Sequence, residues 1–202
     1  LWNGKLPLTV FEVPRVLGRK QHRKWNRKNK RMLGRSIEER PAVVDEHEEL
    51  GPWEADTVVG QRKGKEAVVF TMVERITDHY IAMKIPGRNS VQQAMSQLHE
   101  EYGERFARVF KTITADNGPE FETFSEAEAW GTKVYFAHPY SSWERPRNER
   151  HNGMLRDYIP KGKSIEQYTD EDILSFADAL NSRPRRVLGY HTPEELFDNF
   201  LD

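Results

Sequence analysis

Apolar residues cluster and alternate from Trp53 onward in a way they do not before it. Asp56 to Val59 reads as a short strand closed by Gly60, followed by a polar turn over Gln61 to Lys65. Ala67 to Val73 is a strong strand signal, rich in valine and phenylalanine, and Tyr80 to Ile85 is another, ended by Pro86-Gly87. Ser90 to Tyr102 has helical periodicity, with Val91, Ala94, Met95 and Leu98 on one face. Phe110 to Thr114 alternates and runs into Asp116-Asn117-Gly118. A helix over Glu122 to Trp130 and a strand over Lys133 to Phe136 follow. Beyond the polar loop after His138-Pro139 the pattern predicts helices over Arg147 to Tyr158, Glu171 to Leu180 and Thr192 to Phe200.

The three early strands are joined by turns short enough for an antiparallel meander. The two later strands arrive through helical crossovers and add in parallel. The expectation is an α/β domain: a mixed five-stranded sheet with helices packed on it. Residues 1–50 read as a basic extension and linker, and residues 51–202 as the folded domain, entered at Gly51-Pro52.

Charge distribution changes this picture more than total charge does. The formal net charge is -1, yet Arg19 to Arg35 carries nine Lys or Arg residues and no acid. Glu38 to Glu54 then carries seven acids against one Arg. A basic cluster of this kind attracts phosphates whatever the base sequence; a solvated arm is the plainer alternative, and the asymmetry between the neighbouring segments favours the phosphate reading. The absence of cysteine excludes disulfides, thiolate metal ligands and a cysteine nucleophile. No apolar run is long enough to span a bilayer, and no signal peptide is visible. The first residue is Leu1 rather than Met, which suggests a piece of a longer protein.

Three acids are candidates for chemistry. Asp56 lies among strand residues beside a tryptophan, where a carboxylate is costly unless paired, exposed or metal-bound. Asp116 ends a strand before a glycine turn, a place for a metal ligand and equally a turn signature. Glu149 alone would be an ordinary surface glutamate. Together they suit a carboxylate site for hard ions such as Mg2+ or Mn2+, two of which would clamp the attacking and leaving oxygens at phosphorus. Competing chemistries are weaker. His138, His151 and His191 lack zinc spacing, no Walker A or dinucleotide fingerprint is present, and no nucleophile elbow surrounds Ser141-Ser142. Tyr140 and Trp143 are placed to stack on a base or to serve the fold, and Lys161 and Lys163 to touch phosphate or solvent.

Several blocks resemble the IS30 family of bacterial insertion-sequence transposases, within the retroviral-integrase-like superfamily. They are Gly34-Arg35-Ser36-Ile37-Glu38-Glu39-Arg40-Pro41, Gly51-Pro52-Trp53-Glu54-Ala55-Asp56-Thr57-Val58-Val59-Gly60 and Thr114-Ala115-Asp116-Asn117-Gly118-Pro119-Glu120-Phe121. His138-Pro139-Tyr140-Ser141-Ser142-Trp143-Glu144, Asn148-Glu149 and Asn152-Gly153-Met154-Leu155-Arg156 form the next block, and Asn181-Ser182-Arg183-Pro184-Arg185 and Gly189-Tyr190-His191-Thr192-Pro193 close the match. The separation of Asp116 and Glu149 is the family's usual one. Ala55 departs from a usual glycine, and Pro146-Arg147 from a glycine and a small polar residue.

The resemblance implies a ribonuclease-H-like fold and a metal-dependent DNA strand transferase acting at terminal inverted repeats, with Asp56, Asp116 and Glu149 as catalytic metal ligands. It implies Mg2+ or Mn2+, two ions, as cofactor. The implied partners are double-stranded DNA with terminal inverted repeats and target DNA, in a homodimer or higher assembly, in the bacterial cytoplasm at the nucleoid and not at a membrane. Helix-turn-helix regions are expected upstream of Leu1. Candidate DNA contacts are Arg19, Lys20, Arg23, Lys24, Arg27, Lys28, Lys30, Arg31 and Arg35, with Asn152 and Arg156, which share the helix face of Glu149, either orienting DNA or bracing the site. The rival readings are a plain metal-dependent nuclease on the same fold and a non-enzymatic, transposase-derived DNA-binding protein.

Overall fold

The computed structural model of the chain describes residues 32–44, 49–61, 66–139 and 141–201. Five strands form one sheet: β1 (Pro52–Val59), β2 (Val68–Glu74), β3 (Tyr80–Ile85), β4 (Thr112–Ala115) and β5 (Lys133–Phe136), in the order β3-β2-β1-β4-β5. β1, β2 and β3 pair antiparallel, whereas β4 joins β1 and β5 joins β4 in parallel. The mixed sheet expected from the connection lengths is therefore present.

Helices cover both faces. α1 (Val91–Tyr102), the short α2 (Phe106–Val109) and α5 (Pro193–Leu201) flank one side, and α3 (Pro146–Leu155) and α4 (Asp170–Asn181) the other. Strand alternation divides the core accordingly. Trp53, Ala55, Phe70 and Met72 pack with Met95, Leu98, Phe106 and Phe197. Val58, Val69, Val73 and Tyr80 pack with Leu155, Ile173 and Leu180. Every residue of β2 is buried, as befits an inner strand covered on both faces.

β1 begins at Pro52, four residues earlier than the apolar pattern suggested, because Trp53 and Ala55 enter the core between polar neighbours. The expected helix over Glu122 to Trp130 is a 3-10 run, Phe124–Trp130, that buries Phe124 and Ala127 and ends at Gly131 with a left-handed φ of 88°. A three-residue turn stacks positions i and i+3, which is the spacing of those two side chains.

Residues 32–44 fall in the segment expected as an extension, yet they pack on the sheet. Arg35 O accepts from Phe136 N at 2.8 Å, and Arg40 Nη1 donates to Thr114 Oγ1 at 2.9 Å. Gly34 permits this approach, since a Cβ there would stand 2.7 Å from the Phe136 ring. The basic residues from Arg19 to Arg31 lie outside the described residues.

Candidate active site

Register sets the two aspartates side by side. Pro52, Trp53 and Glu54 of β1 pair with Thr112, Ile113 and Thr114 of β4. The same offset carried two residues on brings Asp116 level with Asp56. Past the end of β4 the chain turns sharply, and Gly118 N donates to Asp116 Oδ1 at 2.9 Å. A Cβ on Gly118 would stand 2.6 Å from Glu120 Oε2 and 2.8 Å from Asp116 Oδ1, so a side chain there would push these carboxylates aside.

Asp56 is held on both oxygens. Oδ1 accepts from Thr57 N at 2.8 Å, and Oδ2 accepts from Asn152 Nδ2 at 3.0 Å. Arg145 spans the pair, with Nη1 3.6 Å from Asp56 Oδ2 and Nη2 3.5 Å from Asp116 Oδ2. Its guanidinium is buried and also donates to Ala55 O at 3.0 Å. Glu120 adds a third acidic group nearby, accepting from Thr57 Oγ1 at 3.1 Å with Arg88 at 3.9 Å. Burial raises the Asp56 pKa above the ordinary carboxylate value; Arg145 opposes the rise, and the charges of Asp116 and Glu120 add to it.

Glu149 stands on α3, which starts at Pro146, a residue suited to a first helical position. It lines a cleft of about 320 Å³ with Asp56, Thr57, Ser142, Arg145 and Asn152. Asp56 and Asp116 thus meet at one guanidinium, and Glu149 opens onto the cleft that Asp56 lines. Among the described residues, no group of three or more His, Asp or Glu side chains is close enough to hold a metal ion. The donors fit a hard divalent cation in kind, since they are carboxylate oxygens with mutual repulsion that a cation relieves.

Three contributors went unrecognised in the sequence: Arg145, Glu120 and Glu54. Glu54 is fully buried two residues before Asp56, and its Oε2 accepts from the backbone N–H groups of Arg147 and Asn148 at 3.1 and 2.9 Å. A glutamate inside a strand whose neighbours enter the core was the available signal.

The other candidates have separate surroundings. Asn152 and Arg156 face the sheet: Asn152 Oδ1 accepts from Tyr80 OH at 2.9 Å, and Arg156 Nη2 donates to Val59 O at 2.8 Å. Arg35 pairs with Glu128 at 3.2 Å and lies 5.8 Å from the Tyr135 ring centroid. Trp143 is 70% exposed, Lys161 and Lys163 are exposed, and Tyr140 lies outside the described residues. His138 pairs with Glu144 and Glu38; the hydrogen bond it donates to the Glu144 carboxylate raises its pKa. His151 is buried, with Nδ1 at 2.7 Å from Arg147 O and Nε2 at 2.6 Å from Arg185 Nη1. Donation by Nδ1 and acceptance by Nε2 describe a neutral ring, in keeping with a pKa lowered by burial to about 4. His191 is exposed beside Glu195.

Comparison with known proteins gives these features a setting. Residues 46–142 match the integrase core domain family. The chain is 39% identical over 197 residues to a protein of Streptococcus salivarius described as a probable transposase for insertion-like sequence element IS1161, covering 96% of this chain and 55% of that one. It is 35% identical to the transposase for insertion sequence element IS4351 of Bacteroides fragilis, covering 91% and 58%. It is 34% identical to transposase InsI for insertion sequence element IS30A of Escherichia coli (strain K12), covering 90% and 47%. The chain spans about half the length of the curated relatives it matches. Among solved structures, the catalytic core domain of BIV integrase superposes with a TM-score of 0.53 at 23% identity, covering 74% of this chain and 94% of that one. The ribonuclease-H-like sheet expected above is therefore the fold observed. An integrase core implies dependence on divalent metal in general terms. No helix among the described residues is long and apolar enough to cross a membrane. Residues 46–142 are thus similar to the integrase core domain family, and the chain over most of its length is similar to insertion-sequence transposases.

Proposed function

We propose that this chain is the catalytic part of a transposase, a DDE-type polynucleotidyl transferase that cleaves and joins DNA strands at the terminal inverted repeats of an insertion sequence. Residues 51–202 would be the catalytic domain, and the basic residues of 1–50 would lead into it. The observation that carries the reading is Asp56 on β1 and Asp116 just past the end of the adjacent parallel β4, sharing one cationic partner, Arg145. Similarity to transposases over most of the chain supports the same reaction class.

In strand transfer, a 3'-hydroxyl oxygen bonds to a target phosphorus while the target P–O bond breaks. The hydroxyl proton is lost and a new 3'-hydroxyl end is released. One phosphodiester replaces another, so no external energy source is consumed. Asp56, Asp116 and Glu149 would hold two Mg2+ or Mn2+ ions. When bound, such ions lower the pKa of a water or 3'-hydroxyl and stabilise the departing oxygen. The protein's own part is positional. Thr57 N and Asn152 Nδ2 fix the Asp56 carboxylate, Gly118 N fixes Asp116, and Arg145 offsets their repulsion. Arg19, Lys20, Arg23, Lys24, Arg27, Lys28, Lys30, Arg31 and Arg35 would contact phosphates, with two DNA ends held in a dimer or larger assembly.

The test is joining on a preassembled branched DNA, the reverse of strand transfer, with Mn2+ present. The chain is compared with Asp116→Asn. Resealing by the unsubstituted chain alone is the expected result. Cutting without joining would make the protein a nuclease. DNA binding with neither reaction would remove the transferase from this chain.

A further inference from the structure

The first turn of α3 has no side-chain cap of its own. Its N-cap residue, Arg145, makes no capping hydrogen bond. The first amides of a helix lack intrahelical acceptors and need others. Here each is accounted for: Pro146 has no N–H, Arg147 N and Asn148 N donate to Glu54 Oε2, and Glu149 N donates to Arg145 O at 3.3 Å. The cap is therefore supplied by another element, the strand that carries Asp56. A carboxylate also suits this place because the helix N-terminus is its positive end. Glu54 is fully buried and has Arg75 Nε at 3.7 Å.

Glu54 is the first of three attachments that run in the same order along β1 and α3. Glu54 receives Arg147 and Asn148, Asp56 receives Asn152, and Val59 O receives Arg156. On the helix these contacts recur at one-turn intervals and so lie on one face. On the strand, Glu54 and Asp56 are alternate residues and share a side of the sheet. Glu149 directly follows Asn148, so rotation or fraying of the first turn would move Glu149 relative to Asp56. Glu54 itself does not line the cleft.

We infer that Glu54 is a positioning residue: by capping α3 from β1, it fixes where Glu149 stands relative to Asp56. The assignment rests on the transferase reading above for its consequence, but not for the cap itself. The capping group is one acceptor oxygen at a defined reach. Glu54→Gln keeps that oxygen, Glu54→Asp withdraws it by one methylene, and Glu54→Leu removes it. Glu74→Gln is the control. Glu74 is an equally buried strand carboxylate, but it receives Gly51 N, Ile76 N, Thr77 N and Thr77 Oγ1 rather than any part of α3.

Two readouts separate a positioning role from general support. Amide exchange of Arg147 and Asn148 should accelerate about tenfold or more in Glu54→Asp and Glu54→Leu, with the strand amides still protected. Joining of branched DNA should fall about 30-fold or more in those variants at unchanged DNA affinity, and stay within about threefold in Glu54→Gln. Glu74→Gln should lower the melting temperature without changing either readout. If Glu54→Leu does not fold, Glu54→Asp decides. The inference is overturned by unchanged exchange at Arg147 and Asn148, by undiminished joining, or by an equal joining loss in Glu74→Gln. If the unsubstituted chain joins no DNA, the transferase reading falls; the exchange measurement, with Mn2+ affinity in place of joining, then decides the role of Glu54.

Discussion

Asn152 donates its Nδ2 to Asp56 Oδ2 at 3.0 Å while its Oδ1 accepts from Tyr80 OH at 2.9 Å, so the amide is held in one orientation by groups on two strands. Asn152→Asp is nearly isosteric but sets a second carboxylate against Asp56. The substitution should cost about 1 kcal/mol in urea unfolding at pH 7, because it replaces a partly buried hydrogen bond with two facing carboxylates. It should also reduce joining. Unchanged stability would mean that Asn152 is not held as described.

Arg145 supports a prediction about metal removal. Its guanidinium offsets the repulsion of Asp56 and Asp116 and is itself buried. Removing it leaves two partly exposed carboxylates facing each other without a counter-charge. Arg145→Gln should therefore lower the melting temperature in EDTA. Added Mn2+ should recover more of that loss than the stabilisation it gives the unsubstituted chain, since a bound cation supplies the missing charge. Equal Mn2+ shifts in both proteins would show that Arg145 and the ion do not act on the same carboxylates.

These two cases mark where sequence reading stops. Strands with plain apolar signals were legible: β3 runs from Tyr80 to Ile85 as expected, and β2 is displaced by one residue. β1 was read too short because Glu54 hides an inward carboxylate among core residues. Asp56 stood out as a carboxylate among strand residues and Asp116 as an acid at a strand end before a glycine turn, whereas the use of Arg145 and Glu54 depends on contacts across some ninety positions that local spacing does not encode. The 3-10 run at Phe124–Trp130 was missed for another reason. Its two buried residues, three apart, satisfy both helix types, and the short span favours the tighter turn.

Trp53 provides a test of the core beneath the site. It is fully buried, donates Nε1 to Val109 O at 2.8 Å, and packs on Phe110 and Phe197 with ring centroids 4.9 and 5.7 Å away. Trp53→Phe removes the donor, leaves the Val109 carbonyl without it and opens space in the cluster. A loss of about 2–4 kcal/mol in chemical denaturation is expected. A loss below about 1 kcal/mol would mean the surroundings collapse onto the smaller ring.

His79 gives a pH dependence whose sign can be fixed. It stacks on Phe197 at 4.1 Å, no group among the described residues bonds its Nδ1, and burial lowers its pKa to about 4. The unfolded chain takes up this proton near the ordinary histidine value, about 6.5, while the folded chain resists it until about pH 4. Stability from this group is therefore complete above about pH 6.5 and is lost as pH falls toward 4, by on the order of 2–3 kcal/mol. Glu54, Asp56 and Glu74 run the other way, because burial raises their pKa values and their contribution declines as pH rises through the carboxylate range. His151 is lowered to about 4 as well. Comparing the chain with His79→Phe cancels those shared contributions and keeps an aromatic ring against Phe197. The stability difference should be level above about pH 6.5 and shift toward the phenylalanine variant as pH falls to 4. A difference independent of pH would show that His79 takes up its proton as readily in the folded chain as in the unfolded one.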